Sequence, residues 1–188
     1  MAAVTAVVAI VGLAAQSLRS LGSGLDDLGT ALTDPEGVQP HTWYDDAQIA
    51  NAGTIVTAAC DLGLGIRDQT IGVMTAMGES SLRNIDYGDW ETSGVTNPDG
   101  SPTTSIGLFQ QQDGWGTREQ RLDPYASATI FFHAMLRKVP DPERQQLEPT
   151  IVAHRTQINR DPGHYAKYWD SAVGVVDELR DRGVGCGE

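Results

Sequence analysis

The sequence predicts an α+β fold that is mainly helical, with a small irregular β region after the second helix. Three observations indicate this class. Apolar residues recur at helical spacing up to about residue 82, a stretch rich in glycine and proline occupies residues 84–116, and helical spacing resumes after Asp123. With 188 residues, 40% of them hydrophobic, the chain is long enough for one globular domain with a packed core.

The N-terminal part differs from the rest, so we expect two regions: residues 1–42, an apolar segment with a linker, and residues 43–188, the folded domain. The apolar run from Ala2 to Ala15 is short for a membrane span, which needs about 20 residues. It is similar to the apolar stretch of a secretion signal, although no Lys or Arg precedes it. It could also form an amphipathic or buried helix. We favour an export signal or a membrane tether.

Two helices are predicted before the irregular stretch. Asp45 or Asp46 can cap the first, over residues 47–63, and Gly63 and Gly65 follow its last turn. Asp68 can cap the second, over residues 69–82. Its apolar residues recur along one stripe, and Glu79 falls near its C-terminal end.

Loops and a short hairpin are predicted for residues 84–116, with a turn at Asn97-Pro98-Asp99-Gly100. Asp123 then caps a helix over 124–139, with Pro124 at its first position. Pro149 or Thr150 opens another helix that runs to 159. Pro162 opens a last helix that runs to 179.

The charge of the chain restricts its partners. The formal net charge is −12 at pH 7, from 25 acidic and 13 basic residues. Nucleic acid is disfavoured as a partner because phosphate binding needs a basic face. A glycan remains compatible, since sugars are recognised through hydrogen bonds and apolar faces.

The two cysteines, Cys60 and Cys186, are too far apart in sequence to match a metal motif. They are either two unrelated thiols or a disulfide that joins the C-terminus to an early helix. A disulfide would fit an oxidising compartment.

Glu79 is the first candidate for chemistry. It lies at a predicted helix end, between two methionines and a glycine on one side and the glycine-rich segment on the other. Burial there would raise the pKa of the carboxyl group, and a protonated carboxyl can donate to a glycosidic oxygen. Position alone is weak evidence, because most helical glutamates are solvated surface charges.

The second candidate is the segment Ser105-Ile106-Gly107-Leu108-Phe109-Gln110-Gln111, which begins 26 residues after Glu79. A glycine permits close approach of the backbone, Phe109 offers an apolar face, and Gln110 and Gln111 offer donors and acceptors. This combination suits a sugar. The alternative is a buried hairpin strand with an exposed glutamine pair.

Together the two segments resemble the superfamily of lytic transglycosylases and goose-type lysozymes. The shared elements are E-S-S-L, then S-x-G-L-F-Q-Q, then G-W-G-T, then D-P-x-A, in this order. Three further matches resemble the actinobacterial and actinophage branch, and the resemblance runs from about residue 47 to residue 172. These matches are Asn51-Ala52-Gly53-Thr54-Ile55-Val56, Tyr87-Gly88-Asp89 and Tyr165-Ala166-Lys167-Tyr168-Trp169.

The resemblance implies a lysozyme-like domain whose β region lines a cleft, and cleavage of the β-1,4 bond between N-acetylmuramic acid and N-acetylglucosamine in peptidoglycan. It implies no metal and no organic cofactor. Glu79 matches the catalytic acid/base. The residues expected to bind substrate are Ser80, Ser81, Ser105, Gly107, Phe109, Gln110, Gln111, Gln157 and Tyr165.

The chain also departs from the family pattern. Thr104 stands where an Asp often precedes the loop motif, and residues 90–103 form an insertion. The A-Y-N-A-G motif is absent, and a helix around residues 152–157 stands in its place, with Gln157 as a polar replacement. These differences affect substrate detail more than reaction class.

A single Glu suffices when the muramyl 6-hydroxyl attacks its own anomeric carbon, which is the transglycosylase reaction. Hydrolysis needs a second carboxylate. We favour the transglycosylase. The candidates for a second carboxylate are Asp86, Asp89, Glu91, Asp99 and Asp113.

Other functions remain open at this point. One is a wall-binding module without activity, of a phage tail or a conjugation apparatus. We expect a monomer that acts on peptidoglycan strands outside the cytoplasmic membrane, secreted, wall-associated, or carried by a phage as a virion or lysis protein.

Overall fold

The described part of the chain is mainly helical, as predicted. The structure is a computed structural model, and it describes residues 44–157 and 159–186. The predicted N-terminal segment and linker, residues 1–42, lie outside the described residues. The α-helices are α1 (Asp46–Asp61), α2 (Ile66–Ser80), α3 (Asp89–Ser93), α4 (Arg118–Leu122), α5 (Pro124–Lys138), α6 (Glu143–Gln146), α7 (Pro149–Gln157) and α8 (Trp169–Asp181). Short 3-10 turns occur at Asp113–Trp115 and Ala166–Tyr168.

Helix α2 occupies the centre of the core. Every residue from Asp68 to Met77 is buried, and α1, α7 and α8 pack around it. Gly72 lets α5 approach closely, because a Cβ atom there would lie 2.5 Å from the ring of Phe132. A helix buried on all sides is held rigidly by its neighbours. The end of α2, where Glu79 lies, is therefore fixed by the core.

Most predicted helix starts are confirmed, and one cap is wrong. The Asp45 carboxylate accepts from the Gln48 backbone N–H at 2.9 Å, and Asp123 likewise caps α5. Asp68 does not cap α2, which begins after Gly65 without a side-chain cap. Instead, the Asp68 carboxylate accepts from Nε of Arg144 at 3.1 Å, and both side chains are 4% exposed. A buried guanidinium needs a carboxylate far more than one helix N–H does.

The last helix begins later than predicted. The sequence placed its start at Pro162, whereas α8 begins at Trp169. The Asp161 carboxylate accepts from the Gly163 backbone N–H at 2.8 Å, which forms a local turn in competition with a helix. This turn precedes Tyr165, whose side chain is fully buried.

The stretch between α2 and α4 is irregular, as predicted. A turn at Asn97–Gly100 is confirmed, with the Gly100 N–H donating to the Asn97 carbonyl at 2.9 Å and Gly100 at a φ of 84°. Pairing within the described residues is limited to isolated antiparallel bridges, Thr96 with Pro102 and Ile106 with Gln111. Helix α3 lies inside this stretch and was not predicted.

A disulfide joins Cys60, near the end of α1, to Cys186, with 4.9 Å between their Cα atoms. The sequence had left this pairing open. The bridge ties the C-terminal tail to the helix that packs on α2. Among residues 44–157 and 159–186, none of the helices combines the length and apolar character that a membrane crossing requires.

Candidate active site

Glu79 lies in the last turn of α2, directly after a run of buried residues. Its own side chain is partly buried. Burial is the main cause that raises the pKa of its carboxyl group from 4.5 to about 7, and the negative charge of Asp89 adds to the rise. A hydrogen bond from Tyr165 acts in the opposite direction. Glu79 can therefore hold or release a proton near neutral pH.

Tyr165 supports Glu79 from the last third of the chain. Its hydroxyl donates to Oε1 of Glu79, and its side chain is fully buried. Burial, followed by the charge of Glu79, raises the pKa of Tyr165, so the phenol remains a donor. Gly78 makes room for this ring, because a Cβ atom at Gly78 would lie 2.6 Å from Cδ1 of Tyr165. The glycine before Glu79 thus has a steric function that the sequence did not reveal.

Two further side chains, those of His154 and Asn159, lie beyond Tyr165. Nδ1 of His154 and Oδ1 of Asn159 lie 2.8 Å apart, and Asn159 offsets part of the rise in the Tyr165 pKa. His154 and Asn159 were not singled out from the sequence. Neither stands in a motif that would have identified it.

The loop after Gly107 is tied to the end of α2. Oγ of Ser80 donates to the Leu108 carbonyl at 2.8 Å. Nε2 of Gln157, at the end of α7, donates to the Phe109 carbonyl at 2.8 Å. Two predicted site residues therefore bind adjacent carbonyl groups of the loop, and they hold it beside Glu79.

Glycines set the path of this loop. Gly107 has a φ of 76°, and a Cβ atom there would lie 2.0 Å from the Arg121 carbonyl oxygen. Gly88 packs closely against the loop, because a Cβ atom at this position would lie 2.3 Å from the Ser105 carbonyl oxygen. Nε2 of Gln110 donates to the Gly107 carbonyl at 3.2 Å. The Tyr-Gly-Asp and Gly-Leu-Phe-Gln motifs are therefore packed against each other.

Other predicted binding residues have side chains that face inward. Phe109 is fully buried and stacks on Phe131, with ring centroids 4.6 Å apart. Gln111 is 1% exposed, and its Nε2 donates to the Ser127 carbonyl at 3.0 Å. Ser105 is also buried. These three side chains support the loop from within, and their contact with substrate stays a prediction.

Ser81 lies apart from this inward-facing group. Its side chain is exposed, and its backbone has a φ of 54° at the end of α2. Its carbonyl accepts from Nε2 of Gln48 at 2.6 Å. The structure thus brings together six of the predicted residues around the end of α2 and leaves Ser81 on the adjacent surface. The six are Glu79, Ser80, Gly107, Gln110, Gln157 and Tyr165.

The candidate second carboxylates differ in their surroundings. Asp89 is exposed and acts electrostatically on Glu79, where its charge raises the pKa. The others are engaged locally: Asp86 with Arg118 at 3.7 Å, Glu91 with the Gly88 N–H at 2.9 Å, Asp99 with the Ser101 hydroxyl at 2.7 Å, and Asp113 with Arg121 at 2.5 Å.

Aromatic side chains stand on either side of Asp89. Tyr87 and Trp90 are each more than 40% exposed. The Tyr87 carbonyl accepts from Nε2 of Gln110 at 3.3 Å, so this aromatic residue is joined to the loop.

Within the part of the chain that the structure describes, no three His, Cys, Asp or Glu side chains are grouped so that they could hold a metal ion. Three depressions on the described surface lie away from Glu79. One of them is a groove that reaches Gln157.

Comparison of the sequence with protein-family models and with curated proteins gave no match.

Proposed function

We propose that this chain is a lysozyme-like enzyme that cuts peptidoglycan glycan strands by the lytic transglycosylase reaction, with Glu79 as acid and base. The observation that carries the proposal is the environment of Glu79. A carboxyl group with a pKa of about 7 receives a hydrogen bond from Tyr165 and lies beside the Gly-Leu-Phe-Gln loop. The order of motifs along the chain supports the same reading.

In this proposal the helical domain has the lysozyme-like architecture, and the irregular stretch of residues 84–116 forms one wall of the glycan cleft. The exposed rings of Tyr87 and Trp90 are suited to stack on sugar faces. Backbone groups of the loop, which Ser80 and Gln157 hold in position, are suited to meet hydroxyl and acetamide groups.

The reaction uses one carboxyl group twice, first as acid and then as base. Protonated Glu79 donates to the glycosidic oxygen, the bond from that oxygen to C1 of N-acetylmuramic acid breaks, and positive charge develops at C1. The Glu79 carboxylate then removes the proton of the muramyl 6-hydroxyl as its oxygen bonds to C1. The products are a free 4-hydroxyl and a 1,6-anhydro end, and Glu79 is again protonated. Tyr165 donates to the carboxylate between the two steps.

Hydrolysis by a second carboxylate is the alternative. Asp89 is the residue that supports it, because its charge acts on Glu79 and the other candidates have local partners. Water would then replace the 6-hydroxyl as nucleophile, and no anhydro end would form.

Mass spectrometry of the fragments released from purified peptidoglycan tests both readings. Anhydro fragments, lighter by one water than hydrolytic fragments, are expected from the wild-type chain and absent with Glu79→Gln. Reducing ends in their place, together with a large loss in Asp89→Asn, would replace the transglycosylase by a muramidase. Equal fragment release by the Glu79→Gln chain would overturn the assignment of Glu79.

The compartment is part of the proposal. A disulfide such as Cys60–Cys186 persists in oxidising compartments, which supports action outside the cytoplasmic membrane. Fractionation of cells that express the full chain tests this, and accumulation of reduced protein in the cytoplasm alone would contradict it.

A further inference from the structure

We propose that a groove beside the loop binds the carboxylate-bearing peptide that is attached to the glycan strand. This inference rests on the proposed function, because it assigns a second part of the same substrate. We call it the basic groove, and it measures about 690 Å³, which is within the usual size of a ligand site. The residues that carry the argument are Trp115, His133, Arg137, Lys138 and Gln157.

The charge of the basic groove contrasts with that of the chain. The formal net charge of the protein is −12, yet Arg137 and Lys138 line the groove together with His133, and none of the described residues that line it carries a carboxylate. In the described residues, neither Arg137 nor Lys138 forms an ion pair, whereas Arg118, Arg144 and Arg155 pair with Asp or Glu. Two cations without a carboxylate partner, side by side in an acidic protein, are complementary to an anionic ligand.

Lys138 is held in place rather than freely solvated. Its Nζ donates to the Thr156 carbonyl at 2.6 Å and lies 5.3 Å from the centroid of the Trp115 ring. Desolvation, and then the charge of Arg137, lowers the pKa of Lys138. The Trp115 ring is only partly buried, so it offers a flat apolar surface next to the ammonium group. A fixed cation beside an aromatic face suits an acidic peptide with short aliphatic side chains.

The basic groove is connected to the candidate active site through hydrogen bonds to the loop after Gly107. Gln157 lines the groove, and its Nε2 donates to the Phe109 carbonyl. The preceding carbonyl, of Leu108, accepts from Ser80, which is the neighbour of Glu79. In the proposed complex, the peptide of a strand cut at Glu79 lies on this side of the loop.

The position of the cations on α5 has a simpler partial explanation. Arg137 and Lys138 lie in the last turn of that helix, where positive charge is favourable to the helix dipole. The dipole does not account for the lack of carboxylates in the groove, for the Trp115 ring, or for the contact of Gln157 with the loop. These features together point to a ligand.

Binding measurements on the full-length Glu79→Gln chain separate binding from cleavage. The probes are a soluble disaccharide–peptide with free carboxylates, the same compound with amidated carboxylates, and the disaccharide without peptide, each titrated by calorimetry. Arg137→Gln should weaken binding of the free-carboxylate probe about fivefold and leave the other two unchanged. Within the described residues, the guanidinium of Arg137 donates to the His133 carbonyl of its own helix and forms no ion pair, so this change should spare the fold.

The matched control is Arg180→Gln, an exposed arginine of α8 outside the groove, which should change binding of each probe by less than twofold. Equal binding by the Arg137→Gln and control chains would overturn the proposal. So would a loss that is the same for all three probes, because the groove would then be a sugar subsite. If the wild-type chain cut no peptidoglycan while Arg137→Gln still lost only the free-carboxylate probe, the function of Glu79 would fail and the groove would stand.

Discussion

Replacing Glu79 by Gln should make the protein more stable at alkaline pH while it removes activity. The folded state raises the pKa of this carboxyl group from 4.5 to about 7, mainly because the group is buried. Between these two pH values the folded chain holds a proton that the unfolded chain has lost. The free energy of unfolding contributed by Glu79 is therefore highest below pH 4.5, falls as pH rises, and is constant above pH 7.

The size of this effect follows from the shift. A difference of about 2.5 pH units at about 1.4 kcal/mol each gives an upper limit between about 3 and 4 kcal/mol. The Glu79 side chain retains some exposure, so about 1 to 3 kcal/mol is expected. Gln has nearly the same shape, can still accept from Tyr165, and does not titrate. The Glu79→Gln chain should thus match the wild type near pH 4 and exceed it by this amount at pH 8.

Urea unfolding of both chains at several pH values measures this difference directly, and all other titrating groups cancel between the two chains. Glycan cleavage measured in parallel should fall by about 10² to 10⁴ in the variant, the usual value of general acid/base catalysis. A stability difference that does not change between pH 4 and pH 8 would refute the reasoning, because it would mean that Glu79 titrates in the folded chain as it does in the unfolded chain.

Three other changes test the surroundings of the site and the cross-link. Cys186→Ser should lower the free energy of unfolding by up to about 4 to 5 kcal/mol in the chain-entropy model, and thiol counting on the unreduced wild-type chain should find no free thiol. Tyr165→Phe should move the alkaline limb of the pH–rate profile to higher pH, because the hydrogen bond from Tyr165 lowers the pKa of Glu79 and its removal lets that pKa rise. A move to lower pH would contradict this. Ser81→Gly should raise stability by up to about 1 kcal/mol in urea unfolding, since glycine adopts the φ of 54° without strain; a loss would show that the serine side chain stabilises this turn.

The helices that could be predicted are those whose sequence contains both a capping residue and an apolar face that packs in the core. Asp45 and Asp123 cap helices with apolar faces, and both caps form. Asp68 failed as a cap because its partner, Arg144, is 76 residues away in sequence, and a buried ion pair outweighs a local cap. The short helices α3, α4 and α6 were missed because four or five residues are too few to show periodicity.

The order of the motifs pointed to the candidate site, but it did not reveal which contacts each residue forms there. The sequence pointed to Glu79 and to the loop that Ser80 and Gln157 hold. It could not show that Phe109 faces the core, because an apolar residue after a glycine suits a core and a sugar face equally. It also gave no reason for Gly78, whose role depends on the ring of Tyr165 from a distant segment.

The backbone around Glu79 holds a second unfavourable feature beside the buried carboxyl group. In the described part of the chain, the residues other than glycine with positive φ are Ser81, Leu82 and Gln110, at 54°, 61° and 44°. Each costs about 1 kcal/mol or more, and they lie directly after α2 and in the loop that contacts it. Tertiary contacts enforce these conformations, since Leu82 is fully buried and Gln48 binds the Ser81 carbonyl. A sequence selected for stability alone would relieve such strain with glycine and would replace the carboxyl group with an amide. The buried carboxyl group and the positive φ values directly after α2 both lower stability. Their occurrence together at Glu79 is the pattern that the proposed catalytic function predicts.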